Sequence, residues 1–293
     1  MSEVHGEGRP ENGTLYVVAT PIGNLEDITL RALKVLAEAD IVAAEDTRNT
    51  AILLARHAIS KRPVALHEHN EAAMAGKLVH WLREGRSVAL VSDAGTPGLS
   101  DPGARVVASV RQAGLRVVPI PGPNAAVSAF CASGIPDGRF LYYGYLPARS
   151  AARRAAIAGL AALDCALVFY EAPHRILEAV DDLAGTLAEG RTIVIARELT
   201  KVYESIERMP LREASEWLRA DSNRQRGEFV LIVSGASKQA RTKGNEWERI
   251  LDLLLSELPL AQAVRLTCAA TGAKRKAVYE RALAAVATAN KKE

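Results

Sequence analysis

Residues 88–103 read Val88-Ala-Leu-Val-Ser-Asp-Ala-Gly-Thr-Pro-Gly-Leu-Ser-Asp-Pro-Gly103, and this stretch decides the fold class. Its first four residues form a valine-rich apolar run, which predicts a buried strand. Three glycines and two prolines follow within a dozen residues, and a helical pattern begins at Ala104. Such a loop gives up side-chain packing so that backbone can approach a ligand. In open α/β sheets ligands bind at the carboxyl ends of strands, so this loop is a predicted binding site, although an ordinary glycine-rich turn has a similar composition.

On both sides of this stretch the chain alternates short apolar strands with helical patterns. The predicted strands are 15–19, 41–44, 63–66, 88–91 and 117–120, and then 140–146, 166–170, 192–196 and 227–233. This alternation predicts an α/β fold, and over residues 15–120 it predicts a mostly parallel sheet with helices on both faces. The prolines of Pro121-Gly-Pro-Asn124 stop any regular element and indicate a hinge. We therefore expect an N-terminal α/β domain over residues 13–122 and a second α/β domain over 123–236.

The two ends of the chain differ from this pattern. Residues 1–12 are polar and predict a flexible tail, and the polar residues 237–245 predict a linker. Residues 246–293 hold three short helical patterns, with the basic turn Lys274-Arg-Lys276 before the last. This arrangement resembles an RNA-binding helix-turn-helix, and a small helical cap with solvated lysines is an equally good interpretation.

Composition limits the class of protein. The 293 residues are 48% hydrophobic, which excludes global disorder, and the net charge of +3 neither requires nor forbids a nucleic-acid partner. The three cysteines are far apart and form no Cys-x-x-Cys pair, so neither a disulfide framework nor a cysteine zinc site is indicated. No apolar run approaches the ~20 residues that span a bilayer, and no signal peptide is recognisable. We expect a cytoplasmic protein that does not contact membranes.

Several well-known motifs are absent from the sequence. It has no G-x-x-x-x-G-K-[ST] loop, no G-x-G-x-x-G after the first strand and no G-x-S-x-G elbow. Polar clusters instead follow six predicted strands, at 20–24, 45–48, 67–70, 92–103, 171–175 and 197–201. If the strands are parallel, these clusters meet at one edge of each sheet and form a cleft with charged walls. His67 and His69 are two residues apart and point to opposite sides of a strand, so we expect no metal site.

Seven of these segments together resemble a known family. They are Thr20-Pro-Ile-Gly-Asn-Leu-Glu-Asp27, Ala44-Glu-Asp-Thr-Arg48, Leu66-His-Glu-His-Asn70, Ser92 to Gly103, Pro121-Gly-Pro-Asn124, Tyr170-Glu-Ala-Pro-His-Arg175 and Arg197-Glu-Leu-Thr-Lys201. In this order they resemble the bacterial 16S ribosomal RNA cytidine 2′-O-methyltransferases of the tetrapyrrole-methylase superfamily. The resemblance covers about residues 13 to 236 and continues more loosely into the tail.

The resemblance implies a fold, a cofactor and a substrate. Two tetrapyrrole-methylase-type α/β domains would hold S-adenosyl-L-methionine in a cleft between them. The substrate would be a cytidine ribose in the decoding region of 16S rRNA, free or in the small ribosomal subunit, and a homodimer would be usual. The cofactor-binding residues implied by this match are Pro21, Ser92, Asp93, Ala94, Gly95, Ser128, Ala129, Tyr170 and Ala196.

Methyl transfer to a ribose hydroxyl needs alignment and a proton acceptor. The candidate acceptors are Glu45, Asp46 and Lys201, which are chosen for their place after predicted strands. The candidate substrate-binding residues, all able to hold phosphates, are Arg48, His174, Arg175, Arg197, Lys274, Arg275 and Lys276. Internal salt bridges, such as Glu45 with Arg48, are the competing interpretation.

Two other functions stay open at this stage. The first is a methyltransferase for a tetrapyrrole or another small molecule, whose carboxylates arginines would also bind. The second is a non-catalytic RNA-binding assembly protein, which would not need the backbone of the Ser92 to Gly103 loop.

Overall fold

The computed structural model describes residues 13–187, 189–236 and 246–289. These residues divide into two compact units, one of residues 13–159 with 165–234, and one of residues 160–164 with the described residues from 235 onward. The predicted tail over 1–12 and the predicted linker over 237–245 lie outside the described residues. Apart from residues 160–164 and 235–236, both predicted α/β domains fall in the first unit, whose described residues form two five-stranded sheets.

The first sheet is entirely parallel. Its strands are β1 (Thr14–Val18), β2 (Ile41–Ala44), β3 (Val64–Ala65), β4 (Val88–Val91) and β5 (Arg116–Ile120), in the order β3-β2-β4-β1-β5. The helices of this half are α1 (Leu30–Glu38), α2 (Thr47–Arg56), α3 (Glu71–Arg83) and α4 (Ala104–Gln112). All five carboxyl ends therefore lie at one edge, as the sequence predicted.

Strand β4 shows why this sheet is covered on both faces. Val88 and Leu90 pack into one core cluster, with Leu78 of α3, whereas Ala89 and Val91 pack into the cluster on the opposite face. Successive side chains of a strand point to opposite faces, so a continuous apolar run can bury itself only between two layers of helices. The backbone of β4 is thereby fixed at the point where the loop from Ser92 to Gly103 begins.

The second sheet is mixed, unlike the first. Its strands are β6 (Phe140–Tyr145), β7 (Ala166–Glu171), β8 (Thr192–Arg197), β9 (Ser205–Pro210) and β10 (Phe229–Val233), in the order β6-β7-β10-β8-β9. Strand β10 lies antiparallel between β7 and β8, and β9 is antiparallel to β8. The short segment from β8 to β9 cannot form the crossover of a dozen residues that a parallel pair requires.

This topology decides which strand ends meet. Strands β6 and β7 are parallel, and β8 runs in the same direction as β7 because both are antiparallel to β10. Their carboxyl ends therefore share an edge with the start of β10, where Phe229 pairs with Glu171 and with Arg197. The helices of this half are α5 (Ala125–Ala132), α6 (Ser150–Leu160), α7 (Ile176–Thr186) and α8 (Ala214–Arg219).

The described part of the second unit contains three helices, in agreement with the three helical patterns of the tail. They are α9 (Glu246–Glu257), α10 (Leu260–Thr271) and α11 (Arg275–Ala289). Their core is formed by Leu251, Val264 and Val278, with Ala263 and Ala282. Helix α10 ends at Gly272, whose φ of +68° is the left-handed conformation common at helix ends.

Candidate functional site

The loop after β4 is joined by backbone hydrogen bonds to the chain after β1. The Thr20 N–H donates to the carbonyl of Gly95 at 2.8 Å, and the Gly95 N–H donates back to Thr20 at 3.0 Å. The Thr20 hydroxyl also donates to the carbonyl of Ser92 at 3.1 Å. Gly95 has a φ of +78°, which residues with a Cβ rarely adopt, so glycine is required here by the backbone.

Asp93 fixes this same loop to the segment after β2. Its Oδ1 accepts the Asp46 N–H at 2.8 Å, and its Oδ2 accepts from the Asn49 side chain at 3.2 Å. The Asp93 N–H in turn donates to Glu45 Oε2 at 3.4 Å. Three loops of the first sheet, which follow β1, β2 and β4, are thus held together.

Aromatic side chains from the second sheet form the facing wall. The Tyr170 hydroxyl accepts the N–H of Ala126 in α5 at 3.1 Å. The rings of Tyr142 and Tyr145 lie 5.1 and 5.8 Å from the Tyr170 ring, in edge-to-face arrangements. The Tyr142 hydroxyl is 2.6 Å from that of Ser100, so this wall is also bonded to the loop after β4.

A cleft of about 260 Å³ lies between these walls, near the lower limit of small-molecule sites. Its lining combines small and apolar residues with acidic ones. The lining residues are Ile22, Glu45, Asp93, Ala94, Gly95, Thr96, Leu99, Ser100, Asp101, Asn124, Ala125, Tyr145, Tyr170, Glu171, Leu199, Glu228, Phe229 and Val230. Among these residues there are five carboxylates and no lysine, arginine or histidine, so the cleft favours a cation over an anion.

Burial changes the proton affinity of several lining groups. It raises the pKa of Glu45, and the nearby charges of Asp93 and Asp46 act in the same direction. It raises the pKa of Asp101 from 3.8 to about 6, with a further contribution from the charge of Glu45. Burial also raises the pKa of Glu171, whose side chain is fully buried, and of the Tyr170 hydroxyl. Each shift reflects the cost of placing a charge where water is scarce.

The structure places the predicted cofactor residues in two groups. Asp93, Ala94, Gly95 and Tyr170 line the cleft. The other five lie outside its lining: Pro21 precedes the lining residue Ile22, Ser92 is buried under the loop, Ala129 and Ala196 belong to the core behind it, and Ser128 is exposed on α5.

The three candidate proton acceptors differ in their surroundings. Glu45 lines the cleft. Asp46 caps α2 and binds the Arg48 side chain at 2.6 Å, and these hydrogen bonds lower the pKa of Asp46 to about 2. Lys201 donates to Glu198 at 2.9 Å and to Glu228 at 3.0 Å. Burial alone lowers the pKa of Lys201, but these two bonds outweigh it and raise the pKa, so the amine stays protonated.

The predicted phosphate-binding residues of the first unit are not equally available. The side chains of Arg48 and His174 are exposed. Arg175 is held by the Leu146 carbonyl and lies 3.3 Å from Glu171 Oε1. Arg197 donates to the carbonyls of Asn223 at 3.2 Å and Arg226 at 3.3 Å. The last two side chains therefore already serve the fold.

Three predicted RNA contacts belong to the second unit. Lys274, Arg275 and Lys276 are all exposed where α11 begins, after the turn at Gly272. Their exposure leaves these side chains accessible to phosphates.

Sequence reasoning missed three acidic lining residues and the part of the lining that comes from the beginning of β10. Asp101 lies in the loop that the sequence singled out, and Glu171 directly follows a predicted strand, so their positions were a usable signal. Glu228 and Phe229 come from the beginning of β10, and they reach the cleft only because that strand is antiparallel. Nothing in the local sequence indicates that direction.

Within the described ranges, no group of three His, Cys, Asp or Glu side chains has the arrangement of a metal site, and the rings of His67 and His69 are 6.0 Å apart. Every described helix is too short or too polar to cross a bilayer.

Two family models match the chain. The model of the tetrapyrrole (corrin/porphyrin) methylases matches residues 14–215, which contain most of both sheets. The model described as the RsmI C-terminal HTH domain matches residues 242–285, which contain α9, α10 and most of α11.

Solved structures support the same fold. The chain superposes on a cobalt precorrin-4 methyltransferase with a TM-score of 0.57 at 18% identity, over 75% of this chain and 94% of that one. It superposes on uroporphyrin-III C-methyltransferase from Thermus thermophilus, complexed with S-adenosylhomocysteine, with a TM-score of 0.53 at 18% identity. This superposition covers 76% of this chain and 97% of that one.

Curated relatives are more similar still. Ribosomal RNA small subunit methyltransferase I of Escherichia coli O157:H7 is 48% identical over 95% of this chain and 98% of its own. The protein of that name from Pseudomonas aeruginosa is 46% identical over 92% of this chain and 97% of its own. The chain belongs to the tetrapyrrole (corrin/porphyrin) methylase family and, within it, to the ribosomal RNA small subunit methyltransferases I.

Proposed function

We propose that this chain transfers the methyl group of S-adenosylmethionine to the 2′-hydroxyl of a cytidine in 16S rRNA, in the decoding region of the small ribosomal subunit. The observation that carries the proposal is similarity over nearly the whole chain to enzymes named for methylating this RNA. The choice of a cytidine as the target nucleotide, and of its 2′-oxygen as the acceptor atom, is supported by the family motifs at the strand ends. A cleft suited to a cation in the same chain agrees with a methyl donor.

The lining of the cleft fits S-adenosylmethionine, which carries a sulfonium, an ammonium, a carboxylate and an adenine. Asp93, Ala94 and Gly95 would hold it on the first sheet, and Tyr170 would hold it on the second. Ile22, Leu199 and Val230 offer the apolar surface that an adenine requires. When bound, the donor supplies a methyl group made electrophilic by the positive sulfur. The carboxylates of the cleft favour that positive charge, and no basic lining residue opposes it.

The residues of the chain would then orient the reactants and receive a proton. Placing the oxygen, methyl carbon and sulfur in line accounts for a large part of the rate in such a displacement. Among the acceptors predicted from sequence, Glu45 alone lines the cleft, and burial raises its pKa. Asp46 and Lys201 would act as structural groups, because their hydrogen bonds hold them in their charged forms.

RNA phosphates would be held outside the acidic cleft. Arg48 and His174 are exposed on the first unit, and Lys274, Arg275 and Lys276 are exposed on the second. Such contacts supply affinity and steering rather than base recognition. Arg175 and Arg197 would support the walls from within, since their guanidinium groups are bonded to the protein.

The resemblance to the superfamily supports a homodimer, and a ribosomal substrate supports a cytoplasmic location. Light scattering of the purified chain after gel filtration measures its oligomeric state directly. A mass of one chain at micromolar concentration would contradict a stable dimer.

The experiment that tests the function is methyl transfer from tritiated S-adenosylmethionine. The acceptors are small ribosomal subunits that lack the modification, naked 16S RNA, and a uroporphyrinogen. We expect label in subunit RNA that survives alkaline hydrolysis in a dinucleotide, because a 2′-O-methyl group blocks cleavage of the adjacent bond. Label in the tetrapyrrole alone would contradict an RNA substrate, and S-adenosylmethionine binding without transfer to any acceptor would favour a non-catalytic protein.

A further inference from the structure

Two large apolar side chains lie exposed at the tip of the loop between β8 and β9. This β8–β9 loop comprises residues 198–204, and Val202 and Tyr203 at its tip are 93% and 72% exposed. Tyr203 is the most exposed of the described tyrosines, and its side chain has no hydrogen bond or ring contact to the part of the chain that the structure describes. Adjacent exposed apolar side chains near a binding cleft are a candidate contact surface.

The β8–β9 loop is held in one conformation. The Thr200 N–H donates to Glu204 Oε2 at 2.6 Å, and the Glu204 N–H donates to the Lys201 carbonyl at 3.1 Å, so the tip is a closed turn. Glu198 and Thr200 have φ values of +51° and +65°, which residues with a Cβ rarely adopt. Such strain persists only where surrounding contacts fix the backbone, and it is common at functional positions. The backbone of Tyr203 is therefore fixed before any partner binds.

The same loop is continuous with the cleft. Leu199 lines the cleft, and Lys201 Nζ donates at 3.0 Å to Glu228, another lining residue. The loop also lies against the chain after β1, because a Cβ on Gly23 would be 2.6 Å from Lys201 Cγ and 3.0 Å from the Leu199 carbonyl oxygen. The β8–β9 loop is therefore part of the rim of the cleft, with Tyr203 at its tip.

The charge of the cleft limits the contacts that RNA can make at this rim. The lining has five carboxylates, which repel phosphates, and it has no lysine, arginine or histidine. Lys201 is already bonded to Glu198 at 2.9 Å and to Glu228 at 3.0 Å. Stacking of a base on an aromatic ring needs no charge, and proteins recognise unpaired bases in this way. An exposed tyrosine is thus a contact that suits an acidic rim.

We propose that Tyr203 is a substrate-binding residue that stacks on an unpaired RNA base next to the nucleotide whose ribose enters the cleft. This inference rests on the proposed function. A nucleotide that enters a cleft leaves the stack of its strand, so the neighbouring base loses a stacking partner. The Tyr203 ring replaces that partner and holds the strand at the rim. Val202 extends the same apolar surface.

The test compares the full-length chain with Y203A, Y203F and Y203L. The matched control is L30A, because Leu30 is 86% exposed and does not line the cleft. Each variant changes an exposed side chain, so the fold should persist. Single-turnover transfer from S-adenosylmethionine is measured over a range of small-subunit concentrations.

For Y203A we expect the subunit concentration at half-maximal rate to rise about tenfold, as for the loss of one stacked base, with a maximal rate within about threefold of wild type. Y203F keeps the ring and should behave as wild type. Y203L keeps apolar bulk without the ring and should behave as Y203A. L30A should not differ from wild type.

Filter binding of 16S RNA gives a second readout that needs no methyl transfer. A stacked base releases no counterions, so Y203A should lower the association constant by a similar factor at all salt concentrations and leave the slope of log K against log salt unchanged. Calorimetry should show an affinity for S-adenosylhomocysteine within about twofold of wild type, because Tyr203 lies outside the lining of the cleft.

The outcomes separate this inference from the function on which it rests. No transfer by the wild-type chain to any RNA would contradict the proposed function itself. With an active wild type, RNA affinity of Y203A within about twofold of wild type, or equal defects in Y203A and Y203F, would overturn only the role of Tyr203. A change in the mass of Y203A measured by light scattering would place Tyr203 between two copies of the chain and would also overturn this role.

Discussion

The backbone N–H of Asp46 donates to Oδ1 of Asp93 at 2.8 Å, which ties the loop after β2 to the loop after β4. Asp93 is thereby a structural acceptor as well as a lining residue, since its second oxygen binds Asn49. Two loops far apart in sequence become one surface of the cleft through a single carboxylate. The first prediction follows from this relationship.

Asp93→Ala removes both acceptors and should raise the Kd for S-adenosylmethionine about tenfold or more, equivalent to about 1.4 kcal/mol. Calorimetry measures this change. Asp93→Asn keeps one carbonyl oxygen toward the Asp46 N–H, so we expect it to bind with intermediate affinity. Unchanged affinity in the alanine variant would show that the loops hold their positions without Asp93.

Gly95→Ala should weaken S-adenosylmethionine binding and lower the free energy of unfolding by about 1 kcal/mol. A Cβ at this position would meet Ile22 at 3.5 Å, which is an ordinary contact, so the effect comes from the φ of +78° and from the narrowed cleft. Gly114→Ala is the matched control, because Gly114 has a φ of +73° and open space around it. The Gly114→Ala variant should lose a similar free energy of unfolding and should bind S-adenosylmethionine as tightly as the wild type. Equal affinities in the two variants would exclude Gly95 from the binding surface.

Asp46→Asn should leave the methyl-transfer rate within a few-fold of wild type, because Asp46 caps α2 and its low pKa makes it a poor base. Asparagine is also a good N-cap, whereas Asp46→Ala should lower the free energy of unfolding by about 1 kcal/mol. Thermal unfolding and transfer assays of both variants check this prediction. A methyl-transfer rate 10²-fold lower in the asparagine variant would instead indicate that Asp46 is a catalytic residue.

Asp101→Asn should raise the melting temperature at pH 8 and leave it unchanged at pH 4. The pKa of Asp101 is about 6 in the folded chain and near 3.8 when unfolded, so the folded state binds this proton more tightly. Ionisation therefore destabilises the fold above pH 6, and this loss disappears as the pH falls toward 4. The full shift corresponds to about 3 kcal/mol, which solvent screening of a half-exposed group reduces to about 1 kcal/mol. We expect an increase of about 2–4 °C at pH 8.

A fall in the melting temperature of D101N at pH 8 would contradict this electrostatic picture. Asp181→Asn is the control, because the exposed ion pair with Arg219 that it breaks contributes little to stability.

Replacing Lys274, Arg275 and Lys276 with alanine should weaken RNA binding and reduce its dependence on salt. Each phosphate contact releases counterions, so losing up to three contacts should lower the slope of log K against log salt by about 2. Filter binding of 16S RNA between 50 and 300 mM salt measures the slope. Arg281→Ala, which breaks a pair with Asp252 in the same unit, should leave the slope unchanged. An unaltered slope in the triple variant would favour a helical cap that does not touch RNA.

The first sheet was predictable because its strands are short, apolar and separated by helical patterns. Val88 to Val91 could be assigned as a strand because a short valine-rich run followed by turn residues is typical of a strand buried between two layers. Composition also located the glycine loop, whereas its lining residues Asp93, Ala94 and Gly95 were implied by the family resemblance. Asn124 was predictable as the N-cap of α5, because asparagine is a favoured N-cap residue and a helical pattern begins directly after it.

The second sheet was harder because its order depends on tertiary contacts. Strand β9, with the sequence Ser-Ile-Glu-Arg-Met-Pro, has a weak apolar pattern, and it is stabilised by its ladder with β8. The insertion of β10 between β7 and β8 has no local signal either. For this reason the lining residues Glu228 and Phe229 could not be predicted, whereas Glu45 could.

Strand β10 is the last strand of its sheet to be synthesised and the middle one in space. Until residue 233 has been synthesised, β7 and β8 each have one edge whose hydrogen-bonding groups are unpaired, because their partner β10 lies more than thirty residues later in the chain. A nascent chain that ends before β10 lacks Phe229 and Val230 and therefore lacks part of one wall of the cleft. An enzyme whose proposed substrate is the ribosome would thus gain its ability to bind the methyl donor only after almost all of its first unit has left the ribosome that makes it.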